Sequence, residues 1–288
     1  MLLSAKPFIE FKIQQMREQV EQMEQMEQKP TLALIRVGND PASVKYVSNK
    51  IKRCNEVGIV SEVYELPEDA SESEVASLID DLNSDERVTG ILLQLPLPKH
   101  LNEHYLTNQI CPYKDVDGFT TWNTGNLSLG VDCNVACTPR GIIELLKYYA
   151  IELESKDVVI VNASNIVGKP LAQLFLQEGA TPTICHKGTK NLKDKIKQAD
   201  IVVLATGNAN FMCADDFSDN TVIVDVSINF DENGKMCGDV VKADYDKLLE
   251  KNCDITPVPG GIGQCTVIAL LENTIEILKE VDSIWIMM

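Results

Sequence analysis

At 288 residues the chain is longer than one typical domain and can form two lobes, each large enough to bury a core. Its 44% hydrophobic and 24% charged residues describe an ordinary globular protein; no apolar run approaches the roughly 20 residues of a bilayer span, which excludes a membrane-spanning chain. The balance of 26 basic against 43 acidic residues, a net charge of −17, argues against nucleic acid or an anionic membrane as partner, whereas an anionic cofactor needs only a few local cations and helix N-termini.

From Met1 to Pro7 nothing resembles a secretion signal, and the nine cysteines are odd in number and lack zinc-type spacing, so the expected location is cytoplasmic. Ile9, Ile13, Met16, Val20 and Met23 recur at three and four residues in a polar background and predict a helix over 8–29, stopped by Pro30. A buried strand over 31–37, a helix over 42–57 closed by Gly58, a strand over 59–66, a helix over 72–83 and a strand over 90–94 follow. This alternation predicts βαβ units and a mostly parallel sheet. The stretch 95–130, rich in Pro, Asn, Gly and Thr, reads as a long irregular segment, a common place for function. A helix over 140–149 leads into a second series: strands over 158–161, 181–185, 201–205 and 222–226, with helices over 171–178 and 193–198. A final helix over 266–281 is apolar enough to pack back on the first lobe.

Four features carry candidate chemistry. Tyr46 and Lys50 stand four apart on a predicted helix, hence on one face. The same Y-x-x-x-K spacing serves short-chain dehydrogenases, but those place a glycine-rich loop before the tyrosine, and here the candidate loop comes far after it. Gln94 ends a strand ahead of Leu95-Pro96-Leu97-Pro98, so its amide belongs at a strand tip. Asp115 and Asp117 flank Val116 just before Gly118, where either turn formation or a ligand anchor suits a carboxylate. The run V-V-I-V-N-A-S-N-I-V-G-K-P-L-A is strand, loop and helix start, with one glycine, Gly168, where the common dinucleotide loop has three; a pyrophosphate site and an ordinary βα turn both fit it.

Taken together, G-N-D-P-A-S-V-K-Y-V-S-N-K, G-I-L-L-Q-L-P-L-P, K-D-V-D-G-F, C-T-P-R-G, A-S-N-I-V-G-K-P and P-V-P-G-G-I-G, in this order, resemble the bifunctional methylenetetrahydrofolate dehydrogenase/methenyltetrahydrofolate cyclohydrolase family. The resemblance implies a two-lobed α/β protein: a folate-binding catalytic domain over 1–139, joined by a returning C-terminal helix over 266–288, and a Rossmann-like domain over 140–265. It implies NADP-dependent oxidation of 5,10-methylenetetrahydrofolate, hydrolysis of the methenyl product to 10-formyltetrahydrofolate, and a homodimer meeting through the nucleotide domains; the alternatives are a member that retains one of the two activities and a non-catalytic folate- or nucleotide-binding module. Carried over by position, Lys50 is the catalytic lysine, Gln94 its hydrogen-bond partner, Tyr46 the ring packed on the folate and Asp117 the pterin anchor. Leu95, Gly260 and Gly261 complete the substrate side. Ala163, Ser164, Ile166, His186, Lys187, Thr206, Gly207 and Ile228 would line the cofactor. The second strand of the nucleotide lobe ends Cys185-His186-Lys187 without a carboxylate, which favours the 2′-phosphate of NADP over the free ribose of NAD. The departures from the family pattern, Asn162 and Ser227 where glycine is usual and Gln264-Cys265 where proline and methionine are, all fall on the cofactor side.

Overall fold

The structure is a computed structural model that describes residues Met1–Ile286, apart from the side chains of Ala42 and residues 280–286. The first helix, α1 (Ala5–Gln25), buries the predicted face, with Phe8, Ile9, Ile13, Met16, Val20 and Met23 all buried, but it ends four residues short of the predicted limit at 29, in a turn where Glu27 has φ 63° and not at Pro30. Strand and helix then alternate as β1 (Thr31–Val37), α2 (Pro41–Val57), β2 (Val60–Leu66), α3 (Glu72–Ser84) and β3 (Gly90–Leu93). Local chemistry sets these limits. Asp40 caps α2 by accepting from Ser43 N at 2.8 Å, and Gly58 closes it in the left-handed region at φ 89°. Ser71 and Glu74 form a reciprocal capping box at the start of α3.

These three strands are parallel in the order β2-β1-β3. β1 is central and buried along its length, and Ala33, Ile35, Val75, Ile79, Ile91 and Leu93 form the core between sheet and α3. Because β2 and β3 lie on opposite sides of β1, the strand order reverses between β1 and β3, and the carboxyl ends of such a pair are where open α/β sheets hold ligands. The segment predicted as irregular is more ordered than its composition suggests: it contains α4 (Glu103–Thr107), capped by Asn102, a 3-10 turn at Pro112–Lys114, and α5 (Thr121–Leu129), capped by Thr120. Helices this short show too few turns for periodicity to reveal them.

The chain continues through α6 (Cys137–Tyr148), β4 (Asp157–Val161), α7 (Gly168–Gln177), β5 (Thr181–Cys185), α8 (Leu192–Gln198), β6 (Ile201–Leu204) and β7 (Val222–Asp225). A small antiparallel hairpin, β8 (Asn229–Phe230) with β9 (Met236–Cys237), then α9 (Tyr245–Glu250) and β10 (Asp254–Ile255) follow, and α10 (Ile262–Ile286) ends the described chain. Five strands make a parallel sheet in the order β10-β7-β6-β4-β5. Its reversal lies between β4 and β6. The two-residue strands and α9 left no readable pattern in the sequence.

The chain divides into two compact units, one made of Phe11–Cys137 and the C-terminal segment from Val267, the other of Met1–Glu10 with Thr138–Thr266. This corrects the expected boundary at one place: the first ten residues belong with the second lobe. The cause is backbone pairing, since Leu2 bridges Ile255, Leu3 N donates to Ile255 O at 2.8 Å and Ala5 N donates to Gly260 O at 2.8 Å. The returning C-terminal helix is fastened within the first unit by Asn273, whose amide donates to Val116 O at 2.7 Å and Val135 O at 3.0 Å.

Candidate functional site

In the first unit, Lys50 sits on α2 with only 9% of its surface exposed, while Tyr46, four residues earlier, is 43% exposed. The Lys50 ammonium donates to Gln94 Oε1 at 3.0 Å. Gln94 follows β3 directly; its backbone N donates to Ile35 O at 2.8 Å and its side-chain Nε2 to Leu95 O at 2.6 Å. That second bond fixes the amide orientation, so the oxygen faces the lysine. Gln94 and Leu95 are half-buried.

The two aspartates of K-D-V-D-G-F take different parts. Asp115, almost fully buried, accepts from Thr120 N at 2.8 Å and Asn123 Nδ2 at 2.9 Å, and so shapes the loop that leads into α5. Among the described residues, Asp117 accepts from one side chain, the Cys137 thiol at 3.5 Å. Desolvation raises the Asp117 pKa above the ordinary carboxylate range, the Lys50 ammonium opposes that rise, and Asp115 adds to it. Gly118 is required by the backbone, with φ 66° and a Cβ position only 2.6 Å from Asn134 O. A buried ammonium, an oriented amide and a carboxylate left mostly uncommitted thus gather near the carboxyl ends of β1 and β3. They can relay a proton and anchor a polar heterocycle.

In the second unit the loops after β4 and β6 flank the strand-order reversal. Asn162, just past β4, donates from Nδ2 to Ala205 O at 2.7 Å, and its Oδ1 accepts from Ser164 N at 2.8 Å, Ser164 Oγ at 2.7 Å and Gly168 N at 3.1 Å. Ser164 Oγ accepts in turn from Val167 N at 3.1 Å, and Lys169 N donates to Ser164 O at 3.0 Å. The first N–H groups of α7 are therefore used within the loop. Among the described residues, the N–H groups of Asn165 and Ile166 have no protein acceptor, and Ala163 and Ile166 are exposed beside them.

The loop after β6 is tied down as firmly. Asp239, fully buried, accepts from Thr206 N at 2.7 Å, Asn208 N at 3.1 Å, Ser227 Oγ at 2.8 Å and Asn229 Nδ2 at 3.0 Å. Gly207 N donates to Ser227 Oγ at 3.0 Å. Asp225, at the end of β7, accepts from Asp239 N and Val240 N, and burial pushes its carboxyl up to about 7. Ile228 is exposed next to this network. At the end of β5, His186 and Lys187 are exposed, and His186 Nδ1 accepts from Gly188 N at 3.1 Å.

Gly260 and Gly261 are glycines for an internal reason: Gly260 has φ 107°, and a Cβ on Gly261 would lie 2.7 Å from Pro257 O. Of the departures, Asn162 and Ser227 are built into the loop networks. Cys265 is buried, its backbone pressed on Gly141, where a Cβ would come within 2.9 Å. Gln264 is exposed.

The family model for the tetrahydrofolate dehydrogenase/cyclohydrolase catalytic domain matches residues 3–117, and that for the NAD(P)-binding domain of the same proteins matches residues 136–282. The chain belongs to the tetrahydrofolate dehydrogenase/cyclohydrolase family. It is 45% identical over 278 residues to the bifunctional protein FolD of Bacillus cereus, covering 96% of both chains. The crystal structure of the bifunctional FolD dehydrogenase/cyclohydrolase from Campylobacter jejuni is similar with a TM-score of 0.94 and 42% identity, over 97% of this chain and 99% of that one. A Trypanosoma brucei methylenetetrahydrofolate dehydrogenase-cyclohydrolase, solved with NADP and an inhibitor, has a TM-score of 0.90 and 29% identity over 98% of both chains.

Within this family member, four polar residues of the site escaped the sequence reading as functional parts: Asn162, Ser227, Asp239 and Asn273. Asn162 and Ser227 stood out only as departures. Asp239 and Asn273 left a fainter signal, each being a polar residue in an apolar setting, and nothing local says which loop such a side chain will reach.

Proposed function

We propose that this chain oxidises 5,10-methylenetetrahydrofolate with NADP and hydrolyses the resulting methenyltetrahydrofolate to 10-formyltetrahydrofolate. The observation that carries the reading is the Lys50–Gln94 bond at 3.0 Å beside Asp117, in the unit matched by the catalytic-domain model. In the hydrolysis a water oxygen bonds to the methenyl carbon and loses one proton to solvent; the hydroxyl of that adduct then gives up its proton as the C=O bond forms and the carbon–N5 bond breaks, and N5 takes up a proton. Lys50 relays that proton, Gln94 holds the ammonium in place, and Asp117 anchors the pterin through its exocyclic amine and ring N–H. Tyr46 offers an exposed ring for the folate to pack on, with Leu95 beside Gln94.

NADP, when bound, supplies the hydride acceptor for the oxidation. The residues present fit it: the unengaged N–H groups of Asn165 and Ile166 suit the pyrophosphate, the exposed Lys187 suits the 2′-phosphate with His186 Nε2 assisting, and Ala163, Ser164, Thr206, Gly207 and Ile228 line the loops around them. Substituting Lys187→Ala is expected to lower kcat/KM for NADP by about ten- to a hundredfold, the equivalent of one charge-assisted contact, and to leave NAD turnover nearly unchanged. Initial rates with both cofactors check this; an equal change in both would remove Lys187 from the 2′-phosphate.

A spectrophotometric assay with methylenetetrahydrofolate and each cofactor, following methenyl formation and then its decay, tests the function. NADP-dependent formation followed by decay faster than in buffer supports both activities, and absence of either step removes that activity from the proposal. Homodimer formation through the nucleotide unit is part of this reading; it draws support from β5, an edge strand with Thr181, Thr183 and Ile184 exposed. A cytoplasmic setting is supported by nine cysteines, an odd number at irregular spacings. Among the described residues no helix is long and apolar enough to cross a membrane.

A further inference from the structure

We propose that Asn162 is a positioning residue for the cofactor, a carboxamide clasp that sets the loop after β4 in its binding conformation before NADP arrives. The inference rests on the nucleotide-binding part of the function proposed above. Asn162 stands at the carboxyl end of β4, the strand next to the order reversal, and its two polar atoms work on opposite sides of that reversal. Nδ2 reaches across to Ala205 O, beyond the end of β6, at 2.7 Å. Oδ1 gathers Ser164 N, Ser164 Oγ and Gly168 N at 2.7–3.1 Å. Ser164 Oγ, held in this way, receives Val167 N at 3.1 Å.

The consequence is a division of the loop's donors. The N–H groups of Ser164, Val167, Gly168 and Lys169 are turned inward to partners within residues 162–168, and, among the described residues, those of Ala163, Asn165 and Ile166 remain for a ligand. The start of α7 is pressed onto the backbone of residue 162 so closely that a Cβ on Gly168 would lie 2.0 Å from Asn162 O, so this arrangement requires glycine at 168. A loop ordered in advance spares the bound state the entropy of ordering it, which appears in affinity rather than in the rate of the chemical step.

The test uses the full chain and the Asn162→Gly and Asn162→Asp variants, with three readouts. Amide hydrogen exchange without any ligand should be at least about tenfold faster over 162–168 in Asn162→Gly, with β4 and β6 protected as before. Calorimetric titration should give an NADP Kd weakened about tenfold, and the KM for NADP should rise with it while kcat changes less than about threefold. In Asn162→Asp the ionised carboxylate keeps the accepted bonds but has no hydrogen for Ala205 O. Protonation restores that donor, so the ratio of variant to wild-type Kd should fall as pH is lowered from 7 through the ordinary carboxylate range near about 4. Unchanged exchange over 162–168, an unchanged Kd, a kcat loss without a KM change, or a pH-independent Kd ratio in Asn162→Asp would each overturn the proposal. If Asn162→Gly does not fold, the Asp variant and its pH dependence decide. A wild-type chain that fails to bind NADP would instead overturn the proposed function, a failure distinguishable from that of the clasp because the exchange comparison needs no cofactor.

Discussion

Replacing Lys50 with Met is expected to remove methenyltetrahydrofolate hydrolysis by about 10² to 10⁴-fold while the fold survives, because a positioned acid/base contributes about that factor. Methionine matches the length of the lysine stem and removes a charge that is 9% exposed, so the variant is relieved of the cost of burying an ammonium. It leaves Gln94 Oε1 without its donor, and that amide is half-buried and already tied to Leu95 O, so the structural penalty stays near one ordinary hydrogen bond, about 1 kcal/mol. Decay of methenyltetrahydrofolate measured with saturating substrate reads the effect, and a denaturation midpoint close to the wild-type value verifies folding. Decay at the wild-type rate in Lys50→Met would show that this lysine is a buried structural cation and that the proton moves by another route.

Asp117→Asn is expected to lower kcat/KM for the folate about ten- to a hundredfold in both reactions, the equivalent of roughly 1.5 to 3 kcal/mol of charge-assisted hydrogen bonding. The two activities should fall together, since the anchor serves one substrate pose. The raised pKa of Asp117 adds a pH signature. Binding by the ionised carboxylate should strengthen as pH rises through that raised pKa, and the amide variant should lack this component. For stability the sign is opposite. A carboxyl whose folded pKa lies above its unfolded value binds a proton more tightly when folded, so its contribution is complete below the unfolded pKa and is lost as pH rises through the folded one. The Asn variant escapes that loss and should be at least as stable as wild type at pH 8 in a denaturant titration. Unchanged folate kinetics would leave Asp117 as a turn residue like Asp115.

The contrast between those two aspartates shows how far the sequence could be read. Both lie in one six-residue pattern, and the resemblance singled out Asp117; that Asp115 is consumed by Thr120 and Asn123 depends on α5, a nine-residue helix whose periodicity is too short to detect. The cofactor loop tells the same story. Strand, loop and helix start were legible from an apolar run and a lone glycine, but the number of N–H groups left for a ligand depends on where the Asn162 side chain points.

By itself the sequence determined the α/β alternation, the buried face of α1, the helix stop at Gly58, and, through its ordered motifs, the family. These are local properties, fixed by side-chain periodicity and by how a residue and its near neighbours satisfy the backbone. Only the tertiary structure decided that Lys50 meets Gln94 across 44 positions, that the first ten residues join the second lobe beside Ile255, and that Asn162 spans two loops. Each depends on strand order and register, which bring distant residues together and which no short stretch of sequence encodes.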